Sequence, residues 1–207
     1  MSKAWADFIP AIVSELPDCP RFTMASAVQY VAREFYRDTR AWRARDVLLA
    51  TTVAGQAGYT VTTNPADAIL VGLPAVWIAD KEVDELPFGG EDDVLPTDRD
   101  DRPAVGVTGP AGILLVPPPL SSGLLVKATV AYAPSPAATG ISDQLHDEHH
   151  EAIERAAVAR LKRMTGKAWS DMQGAVMAEQ EAHRLALQAS SAAGPQRRRA
   201  ALRVKAW

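Results

Sequence analysis

The densest concentration of reactive side chains is the run His146-Asp147-Glu148-His149-His150-Glu151. On a helix, His146 and His150 stand four apart on one face, the spacing that lets two imidazoles share a zinc ion. Asp147 then takes the place of the general-base glutamate in H-E-x-x-H, and the chemistry would be metal-assisted hydrolysis. Aspartate is shorter than glutamate, however, and His183 is the only other histidine, so no third ligand has an obvious source. The run reads better as an acidic, polar first turn set against the positive end of a helix. No metal and no cofactor are expected.

Other chemistry finds less support. Cys19, between Pro17 and Pro20, is the only cysteine, so no intrachain disulfide can form and the thiol is expected to pack inside a turn. The chain has no G-x-x-x-x-G-K-[ST], G-x-G-x-x-G or G-x-S-x-G, which leaves nucleotide binding and serine hydrolysis without a motif. Trp42, Trp77 and Trp169 stand singly at element ends, where an indole caps a core or anchors an interface more readily than it stacks on a base. No enzyme is expected.

Two charged stretches remain. From Asp80 to Pro103 ten acidic residues face only Lys81, Arg99 and Arg102. Such a segment must be solvated; it reads as an exposed loop with a short strand at its start, without the register of oxygens that a calcium loop needs. At the other extreme, QRRRAALRVKAW carries Arg197, Arg198, Arg199, Arg203 and Lys205 with no acidic side chain. It cannot bury a core by itself. It can stay solvated, contact nucleic acid, or order on a protein partner, and Trp207 favours the last as an aromatic anchor.

The elements that carry these features follow from periodicity. Met24, Val28, Val31 and Phe35 make the apolar stripe of a central helix over Thr23 to Trp42, with Thr23 as its N-cap. Trp5 to Leu16 gives a shorter helix packed against it. After Trp42 the pattern shifts to short runs rich in valine, threonine and tyrosine, and antiparallel strands are predicted at 47–53, 59–62, 69–78, 105–108, 113–116 and 124–132. Gly72 and Pro74 threaten to split the third. Gly109-Pro110-Ala111-Gly112 makes a turn, and Pro117-Pro118-Pro119 stops a strand. A helix capped by Ser142 or Asp143 runs to about Thr165 with Ile153, Ala157, Leu161 and Met164 inward. Another, capped by Ser170 or Asp171, turns Ala175, Ala178, Ala182, Leu185 and Ala189 to one side.

The expected fold is therefore α+β: a helical bundle from residues 1–45 and 140–192, an inserted antiparallel β domain at 46–139, and an extended basic C-terminal tail at 193–207. Composition agrees with a folded protein, at 47% hydrophobic and 23% charged residues in 207. The formal charge of -3 steers the whole molecule neither to nucleic acid nor to membrane. MSKAWADFIP lacks the apolar run of a signal peptide, so a soluble protein made in the cytoplasm is expected.

Order and spacing of several short motifs point further. Val31-Ala32-Arg33-Glu34-Phe35 with Thr39 and Trp42 resembles the N-terminal signature of phage head-to-tail connector proteins, the adaptor family that includes tail tubular protein A. Gly58-Tyr59 with Pro65, Gly109-Pro110 before Ile113 to Pro117, the alanine-rich third helix and Gly166-Lys167-Ala168-Trp169 follow in the order of that family. The resemblance implies a non-enzymatic virion protein at the head–tail interface, assembled as a homo-oligomeric ring, commonly a dodecamer, beneath the portal. Such a ring extends the DNA channel, lets DNA pass without sequence-specific binding and offers the downstream tail or nozzle protein a platform. It further implies that the tail, through Arg197, Arg198, Arg199, Leu202, Arg203, Val204, Lys205 and Trp207, docks on the portal. Glu91, Asp92, Asp93, Asp98, Asp100 and Asp101 would lie at a lumen or subunit junction. The competing classes are a nucleic-acid-binding packaging factor that uses the basic tail and a zinc hydrolase built on His146, Asp147 and His150.

Overall fold

Why the central helix starts and stops where it does explains much of the architecture. In the computed structural model, which describes residues 2–86 and 103–194, this helix, α2, runs Arg21–Thr39. Pro20 takes the N-cap position, and its carbonyl accepts from Thr23 N at 3.0 Å and Met24 N at 3.1 Å. Thr23 is thus a first-turn residue and not the cap. At the other end Thr39 Oγ1 donates back to the Phe35 carbonyl at 2.7 Å and accepts from Ala41 N at 3.3 Å, while Arg40 turns left-handed with φ 50. The helix stops three residues short of Trp42, which belongs to the turn into the sheet.

Before α2 come strand β1 (Ser2–Ala4), a 3-10 turn (Trp5–Phe8) and helix α1 (Ile9–Glu15). Pro10 falls in the first turn of α1, where its missing N–H costs nothing. The later strands are β2 (Arg43–Thr51), β3 (Gly58–Thr60), β4 (Ala68–Ile78), β5 (Lys81–Glu85), β6 (Ala104–Gly109), β7 (Gly112–Val116), β8 (Leu125–Pro134) and β9 (Gly140–Ser142). Helices α3 (Asp143–Lys162) and α4 (Met172–Ala192) close the described chain. Ser142 Oγ accepts from Leu145 N and Asp171 Oδ1 from Gly174 N, so both expected caps form. Among the described residues the fold is mixed α+β, with four α-helices and a curled sheet.

That sheet has seven strands in the order β2-β8-β4-β5-β6-β7-β3. Its ends meet as it curls: Val53 N donates to Tyr59 Oη at 3.0 Å and Thr63 Oγ1 reaches the Leu48 carbonyl at 3.4 Å. β4 stays whole across Gly72 and Pro74, absorbing them as two register shifts against β8. Not every pair is antiparallel. β5 and β6 run parallel, matched only at Asp84 with Ala104 and Glu85 with Val105, so the departure and return of residues 87–102 sit side by side. A two-residue turn with Ala79 and Asp80 both at positive φ links β4 to β5.

Two apolar cores result. Phe8, Ile12, Met24, Val28, Tyr36, Ile153 and Leu161 centre the helical one; Leu70, Leu73, Val76, Ile113, Leu115, Val126 and Tyr132 centre the one inside the curl. Trp42 packs on both, its ring 6.1 Å from Tyr36 and 5.8 Å from Tyr132. The helices are cross-tied: Arg155 binds Glu15 and, at 3.1 Å, Glu181, and Lys162 lies 3.5 Å from Glu15 and 3.8 Å from Asp171.

β1 pairs with β9 in a separate two-stranded ribbon beside the start of α3. A methyl on Gly140 would lie 1.9 Å from the Lys3 carbonyl oxygen, a backbone atom that cannot yield locally. Gly140→Ala is therefore expected to detach the N-terminal strand and cost on the order of 1–3 kcal/mol. Urea unfolding midpoints of the two proteins check this.

Candidate functional site

The histidine run sits in the first two turns of α3, and its side chains are spent on packing. His146 meets the Phe8 ring edge-on at 4.8 Å and stacks on His150 at 5.2 Å with 14° between planes. Its Nδ1 lies 3.2 Å from Asp147 Oδ1, and His150 Nδ1 lies 3.2 Å from the His146 carbonyl. Asp147 itself points largely to solvent. Among the described residues no group of three or more His, Cys, Asp or Glu is placed to hold a metal ion. His149, three residues after His146, packs on another part of the helical core, its ring 5.3 Å from Phe35 and 5.8 Å from Tyr36. Tyr36 is fully buried, its Oη donating to the Leu145 carbonyl at 3.2 Å, and burial pushes its phenol well above the ordinary range, with Glu148 adding to the shift.

Cys19 is buried in the turn between α1 and α2, where Cys19 N donates to the Leu16 carbonyl at 3.1 Å, and burial raises its thiol. Trp42 and Trp169 pack against the helical core, and Trp77 is half-buried on β4. Trp42 and Trp169 thus serve packing, as their positions at element ends suggest.

A charged junction joins the helices to the sheet. Arg40 Nη1 lies 3.2 Å from both Glu85 carboxylate oxygens, and Glu85 Oε1 also accepts from Leu73 N at 2.8 Å. Gly72 makes room for it, since a Cβ there would stand 2.7 Å from Arg40 Cζ. Arg43, at the start of β2, donates from Nε to the Arg40 carbonyl at 2.8 Å and from Nη1 to the Ala193 carbonyl beyond α4. Burial, with Arg40 and Arg45 nearby, holds its guanidinium below the usual arginine range, and Glu85 opposes the shift.

Surface shape is decided by α4. Its inner side is alanine, with Ala175, Ala178, Ala182 and Ala189 buried, so α3 approaches it closely. Between the two helices lies a cleft of about 350 Å³ lined by Ala156, Ala159, Met164 and Ala182, with Arg160, Arg163 and Glu179 at its edge. Arg163 is bonded to Glu179, and the Arg160 guanidinium sits 3.9 Å over the Tyr30 ring. The outer side of α4 is also apolar: Met172, Val176, Met177 and Leu187 are 46–66% exposed. Steps of four, four, three and four run Met172, Val176, Gln180, His183 and Leu187 into one uncharged row. Phe22 adds a ring 78% exposed at the start of α2. Exposed large apolar side chains gathered on one helix face fit a surface for association. The alanine side of α4 is plain in the sequence; the outer row was legible only as a second apolar period on the opposite face.

The model of the family described as SU10 adaptor protein matches residues 3–205. The chain belongs to this family of phage head–tail adaptors. No curated protein matched in a separate comparison. The resemblance drawn from short motifs is thereby shown, and with it a structural adaptor role in the virion at the head–tail interface, with portal and tail proteins as the partners that the family implies.

In this adaptor, Arg197, Arg198, Arg199, Leu202, Arg203, Val204, Lys205 and Trp207 lie outside the described residues, as do Glu91, Asp92, Asp93, Asp98, Asp100 and Asp101. What the structure gives is their points of departure. Leu86 N donates to the Val105 carbonyl at 2.7 Å just before residue 87, and the Arg43 contact with Ala193 lies just before residue 195. No helix among the described residues is long and apolar enough to cross a membrane.

His149 links the adaptor's stability to pH. Burial lowers its pKa from the ordinary 6.5, against the opposing pull of Glu148. The unfolded chain therefore binds this proton more readily than the folded one. Stability is complete above pH 6.5 and falls as pH drops from 6.5 towards the lower folded value. His149→Phe, which keeps an aromatic ring against Phe35 and Tyr36, is expected to flatten that fall. Thermal midpoints measured in steps from pH 7.5 to about 5 check it.

Proposed function

We propose that this adaptor assembles into a ring beneath the portal, commonly twelvefold, that lengthens the DNA channel and offers the next tail component its platform. The observation that carries the reading is the family match over residues 3–205. The exposed apolar side chains of α4 support it: a monomer gains nothing from exposing Met172, Val176, Met177 and Leu187, whereas a ring covers one patch of each subunit with a different patch of its neighbour. In this reading residues 1–45 and 140–192 act as one helical body, residues 46–139 as an inserted β unit, and DNA slides past without sequence-specific contacts.

The basic tail is the portal-docking segment, with Arg197, Arg198, Arg199, Arg203 and Lys205 supplying charge and Leu202, Val204 and Trp207 the apolar anchor. Many copies around one axis offset the entropy of ordering it. The acidic residues Glu91, Asp92, Asp93, Asp98, Asp100 and Asp101 line the lumen or a subunit junction, where negative charge repels phosphate and keeps DNA moving.

Removing residues 195–207 is expected to leave far-UV dichroism and the unfolding midpoint unchanged while abolishing attachment to the portal, scored by electron microscopy of the mixed proteins. Attachment by the truncated protein would refute the docking role. If the full-length protein instead binds duplex DNA with an affinity that falls steeply as salt is raised, the tail is a phosphate-binding arm and the adaptor a packaging factor.

A further inference from the structure

Two helix C-termini converge on one side chain. Arg40 is the C-cap of α2 and Ala193 that of α4. The Arg43 guanidinium takes both carbonyls, Nε donating to the first at 2.8 Å and Nη1 to the second. A cation belongs there, because unpaired carbonyls and the negative end of the macrodipole meet at a helix C-terminus. α4 has no basic residue in its last turn to serve that need. The charge is instead supplied from β2, a strand 150 residues earlier in the chain.

That contact also secures the end of α4. Ala193 N donates to the Ala189 carbonyl and Gly194 N to the Ser191 carbonyl, both at 3.0 Å, and Gly194 turns the backbone at φ 89. Ser191 and Ala192 are exposed, so little apolar burial holds this last turn in place. Left alone, such a turn frays. Arg43 ties it to the junction where Arg40 binds Glu85, which is itself bonded to the β4 backbone. Among the described residues Nη2 of Arg43 is buried without a hydrogen-bond partner, and the side chain is held there by its two carbonyls.

We propose that Arg43 is a positioning residue that holds the last turn of α4 in one place and so fixes the point, at Ala193 and Gly194, from which the C-terminal segment leaves the adaptor. It acts through the cap of α4. The consequence for docking rests on reading that segment as the portal-binding arm: a segment held at a fixed point of departure has less freedom to lose on binding.

The test uses the full-length protein with spin labels at Leu120→Cys, a fully exposed site on the loop before β8, and at Ala192→Cys, an exposed site in the last turn of α4, in a Cys19→Ser background. Pulsed dipolar spectroscopy then compares Arg43 with Arg43→Lys and Arg43→Met. With Arg43 a single narrow distance distribution is expected; with methionine, which keeps the apolar stem but no donor, the width at least doubles. Lysine keeps the charge without the fork that reaches two carbonyls, so it falls between. Portal affinity should weaken in the same order, roughly tenfold for Arg43→Met. An unchanged width in Arg43→Met overturns the proposal. Should that variant fail to fold, Arg43→Lys carries the test, and equal widths for Lys and Arg overturn it too. If removing residues 195–207 leaves portal attachment intact, the docking reading fails, whereas the widths still decide what Arg43 does.

Discussion

The structure depends on the seam at residues 39–43, where a helix must become a strand without a gap between two cores. Thr39 closes α2 with its hydroxyl, Arg40 reverses the chain in the left-handed region, and Trp42 lays its ring between Tyr36 and Tyr132. A non-glycine residue in that region costs about 1–2 kcal/mol. Contacts offset the cost: the guanidinium reaches Glu85 across a bare Gly72, and Glu85 in turn satisfies the Leu73 amide. Side chains of both partners are about a quarter exposed, dry enough for the pair to hold its geometry and wet enough to avoid the full penalty of a buried ion pair.

From this seam the other parts take their places. β2 begins directly after it, and β8, β4 and β5 are laid against it in order. The same few residues hold the ends of both charged segments, since Glu85 closes β5 just before residue 87 and Arg43 holds the carbonyl just before residue 195. Segments of opposite charge thus depart from one hydrogen-bonded junction of the adaptor.

α4 illustrates how packing chemistry shapes the outside. Alanines on its inner side let α3 come close and hide little apolar area, and of the larger apolar residues of α4 Leu185 packs on the helical core. Met172, Val176, Met177 and Leu187 face outward. A helix apolar on two sides belongs between two neighbours. One neighbour is α3, and in the proposed ring the other is a second subunit.

Composition, local spacing and cap chemistry were enough to read the α+β class, all four helices with the Ser142 and Asp171 caps, and six of the strands to within a few residues; the adaptor family came from the resemblance of its short motifs. These are properties of neighbouring residues, and neighbours are what a sequence displays. Three kinds of feature were decided only by tertiary structure. Trp42 lies at helical spacing from Phe35, yet the helix ends first, because Arg40 gains a carboxylate partner 45 residues away by leaving it. The Ala79-Asp80 turn carries no glycine to announce positive φ, and β5 pairs in parallel with β6 through partners some twenty residues apart, so neither had a local signal. The β1–β9 ribbon and the Arg43 clamp join residues more than a hundred positions apart. Local preference sets which elements form; which carbonyl an arginine finally reaches is settled by the energy of the assembled whole.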